Sequence, residues 1–192
     1  MRAPFFPVGL NLEGRPCVVV GEADDPEAIA KTAALRESGA VVSWLTDPAA
    51  VGETDVADAF LVVSTPQDAA LSQRLRTLAD RHRFLLCCID QPSYGFVAMM
   101  AIAKAGPVRI AISTTGLAPR VGKAIKEALQ AAMDATFERF VERLAVERER
   151  VRAEHPEPAD SPVRRAAAID AASGFEARVS FRYPDWLERG ER

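Results

Sequence analysis

Residues 17–21 read Cys-Val-Val-Val-Gly, and this stretch indicates the fold class. A short β-branched run that stops at a glycine is typical of a strand buried on both faces of a parallel sheet. Either Asp24 or Asp25, just before a proline, predicts the cap of a helix over residues 26–38. Residues 41–45 then predict a second strand. A strand, a glycine turn, a helix and a second strand together form a βαβ unit.

The same alternation continues along the chain. Apolar runs predict further strands at residues 59–63, 84–89 and 108–112. A cap, a proline and an acid within residues 65–68 predict the start of a helix that ends near His82. Strands that alternate with helices favour a mainly parallel sheet with crossover connections. The predicted fold class is therefore α/β, with a Rossmann-like sheet followed by a helical region.

Beyond this sheet the spacing of apolar residues becomes helical. From Arg120 to about Glu154 it predicts one long helix or two helices with a break. Several prolines then indicate a linker, and the remaining residues are charged with scattered aromatics. We therefore predict three parts: an α/β domain over residues 1–118, a helical region over 119–155, and a linker with a C-terminal tail over 156–192.

Composition and charge argue against several classes of protein. The 192 residues carry a net charge of -3, whereas a nucleic-acid binder needs a basic surface for phosphate contacts. No apolar run approaches the roughly 20 residues that span a bilayer, and the first residues lack the apolar core of a secretion signal. Three cysteines cannot form a disulfide framework, so we expect a protein of the reducing cytoplasm. The adjacent Cys87 and Cys88 alternate faces of a strand and are predicted to be small core residues.

The turn after the first strand is where a Rossmann fold places the pyrophosphate of a dinucleotide. Here it reads Gly21-Glu22-Ala23-Asp24-Asp25, with one glycine, three acids and no G-x-G-x-x-G pattern. An acid close to a pyrophosphate repels it by on the order of 1 kcal/mol in water. Two interpretations stay open: weak NAD binding at Gly21, Glu22 and Ala23, or a βαβ unit without a cofactor.

Three residues that follow strands are further candidates, because ligands collect at the carboxyl ends of parallel strands. Asp47 can receive a ribose hydroxyl, although an acid there is also a common turn cap. Thr65 is a second candidate for the cofactor. Asp90 ends a buried strand and can serve as a general base or as a metal ligand. The alternative for Asp90 is a cap of the Gln91-Pro92 turn.

The segment from Ser113 to Lys126 is predicted to bind anions. A loop rich in hydroxyls and glycine leads into a helix whose first turns are basic. Cations near a helix N-terminus oppose the helix dipole, so their placement indicates a role in attracting carboxylates or phosphates. The alternative is a solvated basic face paired with Glu127. The candidate residues are Ser113, Thr114, Gly116, Arg120, Lys123 and Lys126.

Three separated segments together resemble the precorrin-2 dehydrogenases, which occur alone or as the N-terminal module of siroheme synthase. The first is Phe6-Pro7 with residues 10–21, Leu-Asn-Leu-Glu-Gly-Arg-Pro-Cys-Val-Val-Val-Gly. The second is Ile89-Asp90-Gln91-Pro92 with Phe96. The third and closest is residues 106–119, Gly-Pro-Val-Arg-Ile-Ala-Ile-Ser-Thr-Thr-Gly-Leu-Ala-Pro. The resemblance covers residues 5–130.

This resemblance implies a homodimeric, NAD-dependent enzyme that oxidises precorrin-2 to sirohydrochlorin, and some members of the family also insert Fe²⁺. Asp90 would match the aspartate implicated in both reactions. Ser113, Thr114 and Gly116 would line the tetrapyrrole crevice. The cations Arg120, Lys123 and Lys126 would face the carboxylates of the substrate, and residues 119–155 would bind tetrapyrrole and form the dimer.

The chain departs from the family at its cofactor turn, which is Gly-Gly-Gly in relatives and Gly21-Glu22-Ala23 here. The segment between Leu45 and Ala59 also looks too short for a family strand that flanks the cofactor. We therefore keep two alternatives to the dehydrogenase. One is a protein that only chelates or only binds tetrapyrrole, with a degenerate NAD site. The other is a non-catalytic Rossmann-like domain that dimerises through its long helix.

Overall fold

Four parallel strands form the main sheet, as the βαβ pattern predicts. They are β1 (Pro16–Val20), β2 (Val41–Leu45), β3 (Leu61–Ser64) and β4 (Leu85–Cys88), in the order β2-β1-β3-β4. The structure is a computed structural model that describes residues 5–188. The predicted Rossmann-like α/β class is confirmed.

One helix covers each face of this sheet. Helix α1 (Pro26–Glu37) packs Ala28 and Leu35 against one face, and α2 (Ala69–His82) packs Leu71 and Leu75 against the other. Because side chains alternate along each strand, neighbouring residues belong to different layers of the core. Cys87 lies on the α1 side and Cys88 on the α2 side, so the prediction that both are core residues is confirmed.

The segment between β2 and β3 contains a short 3-10 turn, Pro48–Ala50, and among its described residues no strand. Val51 and Val56 are buried in the α2-side core. Glu53 accepts hydrogen bonds from Arg81 at 3.0 Å and pairs with His82 Nε2 at 2.6 Å, both at the end of α2. These contacts order a segment that is too short for a further strand.

Two details of the predicted α/β alternation are wrong. The predicted strand at residues 108–112 forms as β6 (Val108–Ile112), but it pairs with β5 (Ala101–Ala105) in a separate two-stranded sheet. The two-residue connection between β5 and β6 allows only an antiparallel hairpin. The predicted helix start at residues 65–68 was also early: the cap of α2 is Asp68, whose carboxylate accepts from Ala70 N and Leu71 N.

The region from Arg120 to about Glu154, for which one long helix or two helices were predicted, forms two helices with a break. Helix α3 (Pro119–Ala132) begins at its proline, and α4 (Ala135–Glu154) begins after Asp134, which caps it through Thr136 N and Phe137 N at 2.9 Å. Asp134 separates the two helices because its side chain binds backbone amides, and these bonds compete with the backbone hydrogen bonds that would continue α3. Within the segment expected to be a linker and tail, residues Ser161–Ala171 form α5 and Asp185–Glu188 form α6.

The chain divides into two units. One comprises the described residues up to Ile102 together with Ala111–Ile125. The other comprises Ala103–Ile110 and the described residues from Lys126 onward. In the second unit Phe175 stacks on Phe140 of α4 with ring centroids 5.2 Å apart, so part of the predicted tail packs on that helix.

Candidate functional site

The order of the strands places a crevice between β1 and β3. The chain leaves β1 for β2 on one side and returns to β3 on the other, and such a switch point is where open α/β sheets bind ligands. Gly21 directly follows β1 and Thr65 directly follows β3, and both are buried. The structure therefore brings these two predicted cofactor residues together.

The backbone of Gly21 is tightly enclosed. Its carbonyl accepts from Trp44 Nε1 at 2.9 Å, and its amide donates to Leu45 O at 3.1 Å. A Cβ atom at this position would overlap the Thr65 hydroxyl oxygen and would lie 2.8 Å from the Cβ of Ala28. Glycine is required here because neither the strand end nor the helix can move away without losing core packing.

Asp25 lies beside Gly21 at this turn. Its Oδ1 accepts from Glu27 N at 2.9 Å, which makes Asp25 the N-cap of α1. Its Oδ2 accepts from the Thr65 hydroxyl, whose oxygen also lies 3.3 Å from Val20 O. The Thr65 hydroxyl and backbone amides of α1 together lower the pKa of the Asp25 carboxyl, despite the opposing effect of partial burial. The charged carboxylate is the favoured form.

These residues do not fit a dinucleotide pyrophosphate as they stand. A phosphate at this turn would use amides in the first turn of α1 and the space beside Gly21. The Asp25 carboxylate already accepts from one of these amides, Glu27 N, and lies beside Gly21. Glu22 and Ala23 are exposed. They lie in a turn that is closed by a hydrogen bond of 3.2 Å from Asp25 N to Glu22 O.

Asp47 caps the 3-10 turn after β2 by accepting from Ala49 N at 3.1 Å. This contact is the alternative that the sequence left open for this residue. The carboxylate is exposed. Asp47 therefore has a structural role here whether or not a ribose reaches it.

Asp90 is exposed in the turn that follows β4, where Gln91 N donates to Cys88 O at 3.2 Å. Its φ is +58°, in the left-handed region that Asp and Asn tolerate better than most residues. The carboxylate accepts from Gln67 Nε2 at 3.3 Å, so the ends of β3 and β4 are linked. An exposed carboxylate held by one amide can accept a proton from a bound substrate.

The predicted hydroxyl-rich loop is stabilised largely by its own contacts. Ser113 Oγ accepts from Thr115 N at 3.2 Å, and Leu117 N donates to Thr114 O at 2.9 Å. Thr115 and Gly116 have φ of +50° and +70°. A β-branched residue in this region is strained, and such strain is often found at binding sites.

Gly122 is a residue that the sequence reasoning missed. It is buried on the first turns of α3, and a Cβ atom there would lie 3.3 Å from the methyl carbon of Thr114. The absence of a side chain thus lets the predicted loop lie against the helix. A glycine within a helix was the available signal, since it costs roughly 1 kcal/mol relative to alanine unless packing needs it.

The three predicted cations lie on α3 at positions separated by three residues. Arg120 and Lys123 are exposed, and Lys126 is half-buried. Arg120 and Lys123 fall in the same unit as the loop, whereas Lys126 falls in the second unit. The structure therefore places the first two on the helix that directly follows the predicted loop.

Residues 5–188 contain no group of three His, Cys, Asp or Glu side chains arranged to hold a metal ion. No helix in the described part of the chain is long and apolar enough to cross a membrane. A cavity of about 750 Å³ lies in the second unit, along α4 and α5, with Arg148, Arg152, Arg164 and Arg165 in its lining. None of the predicted site residues lines it.

Comparison with known proteins gives the same class as the fold. Residues 8–101 match the family described as "Putative NAD(P)-binding". The solved structure of SirC, a precorrin-2 dehydrogenase, superposes with a TM-score of 0.65 at 20% identity and covers 88% of this chain and 90% of its own. The class of protein is a Rossmann-like α/β protein, of which residues 8–101 are similar to an NAD(P)-binding family.

The curated relatives in sequence are siroheme synthases. The siroheme synthase of Hahella chejuensis is 29% identical over 168 residues, which are 77% of this chain and 35% of the relative. Siroheme synthase 1 of Cronobacter sakazakii is 29% identical over 159 residues, or 72% of this chain and 33% of that protein. The chain is thus similar to SirC in fold and to siroheme synthases in sequence. It spans about a third of the length of these curated relatives.

Proposed function

We propose that this chain acts on a tetrapyrrole in siroheme biosynthesis, as the module that oxidises precorrin-2 to sirohydrochlorin with NAD(P). The observation that carries this proposal is the placement of Asp90 at the carboxyl edge of the sheet, in a family whose relatives are siroheme synthases. Asp90 is the acid–base residue in this proposal. Gln67 is a positioning residue that holds the carboxylate.

The anionic substrate gives the basic start of α3 a purpose. Uroporphyrinoid tetrapyrroles carry several carboxylates, and Arg120 and Lys123 can form charge-assisted hydrogen bonds with them. Ser113 and Thr114 supply hydroxyls, and Gly116 leaves room beside the loop. Lys126 is proposed as a third cation. We also propose a homodimer in the cytoplasm, as the family resemblance implies.

A second candidate function is favoured by one observation: Asp25 stands where a pyrophosphate would bind. In this alternative the module binds sirohydrochlorin, with or without insertion of Fe²⁺, and does not use NAD(P). Fe²⁺ is then a substrate, held mainly by the macrocycle, and Asp90 receives the protons that leave the pyrrole nitrogens.

The test measures each activity separately on the full chain. Precorrin-2 with NAD⁺ or NADP⁺ reports oxidation through formation of the reduced nicotinamide. Sirohydrochlorin with Fe²⁺ or Co²⁺ reports metal insertion through the change in its absorbance spectrum. Oxidation supports the leading proposal, and insertion without oxidation supports the second. A chain that does neither and fails to bind sirohydrochlorin in calorimetry overturns both.

A further inference from the structure

The Asp25 carboxylate contacts the kinds of group that bind a phosphate in a typical Rossmann turn. A phosphate at such a turn accepts from amides in the first turn of the helix and rests against a glycine backbone. Asp25 Oδ1 accepts from Glu27 N at 2.9 Å. Its Oδ2 lies 3.3 Å from the point where a Cβ of Gly21 would be. The side chain thus satisfies donors that would otherwise face a phosphate.

Thr65 holds the carboxylate in this place. Its hydroxyl lies in the crevice between β1 and β3, and it donates to Asp25 Oδ2 from a residue that is only 8% exposed. Asp25 is therefore held by one contact from its own helix and one from a different strand. The other two acids of the turn, Glu22 and Asp24, are exposed.

We infer that Asp25 is a built-in occupant of the pyrophosphate position, and that it must be displaced before a dinucleotide can bind in the usual Rossmann pose. This inference rests on the proposal that the module uses NAD(P). It identifies Asp25, rather than the acidic composition of the turn as a whole, as the residue that sets dinucleotide affinity. Thr65 acts with Asp25 by holding its carboxylate in this position through a hydrogen bond.

Two substitutions of Asp25 remove its charge and keep the helix cap, and they differ in the size of the side chain. Asp25→Ser keeps a good cap with a shorter, neutral side chain, and Asp25→Asn keeps both cap and size. The matched control is Asp24→Ser, which removes the same charge from the adjacent, exposed position. Thermal unfolding of each variant shows whether the α1 turn has kept its structure.

The experiment is calorimetric titration of the full chain with NAD⁺ and with NADP⁺. We expect Asp25→Ser to bind at least one of them about tenfold or more tightly than the unmodified chain, and Asp24→Ser to improve affinity by about twofold or less. Asp25→Asn should improve affinity less than Asp25→Ser, because the amide still fills the space.

The inference is overturned if Asp24→Ser tightens binding as much as Asp25→Ser, or if neither Asp25 variant, once shown to be folded, binds more tightly than the unmodified chain. Titration of the same proteins with sirohydrochlorin keeps the two proposals distinct. Loss of tetrapyrrole binding in every protein contradicts the proposed function, whereas the nicotinamide titrations alone decide the role of Asp25.

Discussion

The side-chain amide of Gln67 donates to the carboxylate of Asp90, with 3.3 Å between Nε2 and Oδ2. The two residues are 23 positions apart and follow adjacent parallel strands, β3 and β4. The hydrogen bond gives an exposed carboxylate a preferred orientation, and the left-handed backbone of Asp90 turns the chain directly after its strand. A general base needs such an orientation more than it needs burial.

Replacing Asp90 by Asn should abolish most activity without unfolding the protein. The amide cannot accept a proton, and loss of one positioned acid–base group typically lowers the rate by about 10²–10⁴. Asn tolerates the +58° φ, so the melting temperature should stay close to that of the unmodified chain. Initial rates of precorrin-2 oxidation and of metal insertion test this. Asp80→Asn, on the exposed side of α2, is the control. If the Asp90→Asn variant is fully active, Asp90 has only a structural role in its turn.

Replacing Gln67 by Leu should lower the rate less than the Asp90 substitution does. Leu keeps the volume of the side chain and removes the hydrogen bond to the carboxylate. Because Gln67 acts only through Asp90, the double variant should be no slower than Asp90→Asn alone. Rates of the two single variants and the double variant form the test. Additive losses would show that Gln67 acts independently.

Replacing Arg120, Lys123 and Lys126 together by Ala should weaken sirohydrochlorin binding strongly. Each charge-assisted contact can contribute about 1.5–3 kcal/mol. The salt dependence of binding should also flatten, because fewer ion pairs form. Calorimetry at two salt concentrations measures both effects. A control with equal charge change is Ala at the exposed Arg36, Arg74 and Arg178. If this control loses as much affinity, only the net charge matters.

The carboxylate of Asp25 should make folding stability depend on pH in the acidic range. Its pKa is lowered in the folded state, mainly by the Thr65 hydroxyl, so the unfolded chain binds the proton more readily. The stabilisation is complete above the unfolded pKa of about 4 and is lost as the pH falls through the folded pKa. Urea unfolding between neutral pH and pH ~3 should show the stability difference between the unmodified chain and Asp25→Asn shrinking. A constant difference would contradict this.

The three cysteines should resist thiol reagents in the folded protein. Cys17, Cys87 and Cys88 are free and buried. Burial raises the pKa of all three thiols, that of Cys87 to about 11, so thiolate is scarce near neutral pH. Ellman's reagent should label none of them quickly in buffer and all of them in denaturant. Rapid labelling of the native chain would show that the sheet opens readily.

Local patterns predicted most of the α/β framework. The run before Gly21 specifies a buried strand, Pro26 marks the first helical position, and the paired cysteines separate to the two faces of β4. Each of these features depends on residues close together in the chain. The strand β5 escaped prediction because Ala101–Ala105 is short and alanine-rich, without a clear β pattern. The cap of α2 was misplaced because Thr65 and Asp68 are both good caps by type.

The candidate site was predicted by type and position, but not by contacts. Asp90, Gly21 and Thr65 were identified because each follows a strand, and parallel strands bring their carboxyl ends to one edge. The sequence by itself therefore determined the βαβ alternation, the sheet edge and the acidic character of its turn. Only the tertiary structure decided that Thr65 turns its hydroxyl to Asp25, 40 residues away, and that Gln67 holds Asp90. Such pairs form between strands that are neighbours in the sheet, and the hydrogen bonds of a side chain depend on which strands the whole fold brings side by side.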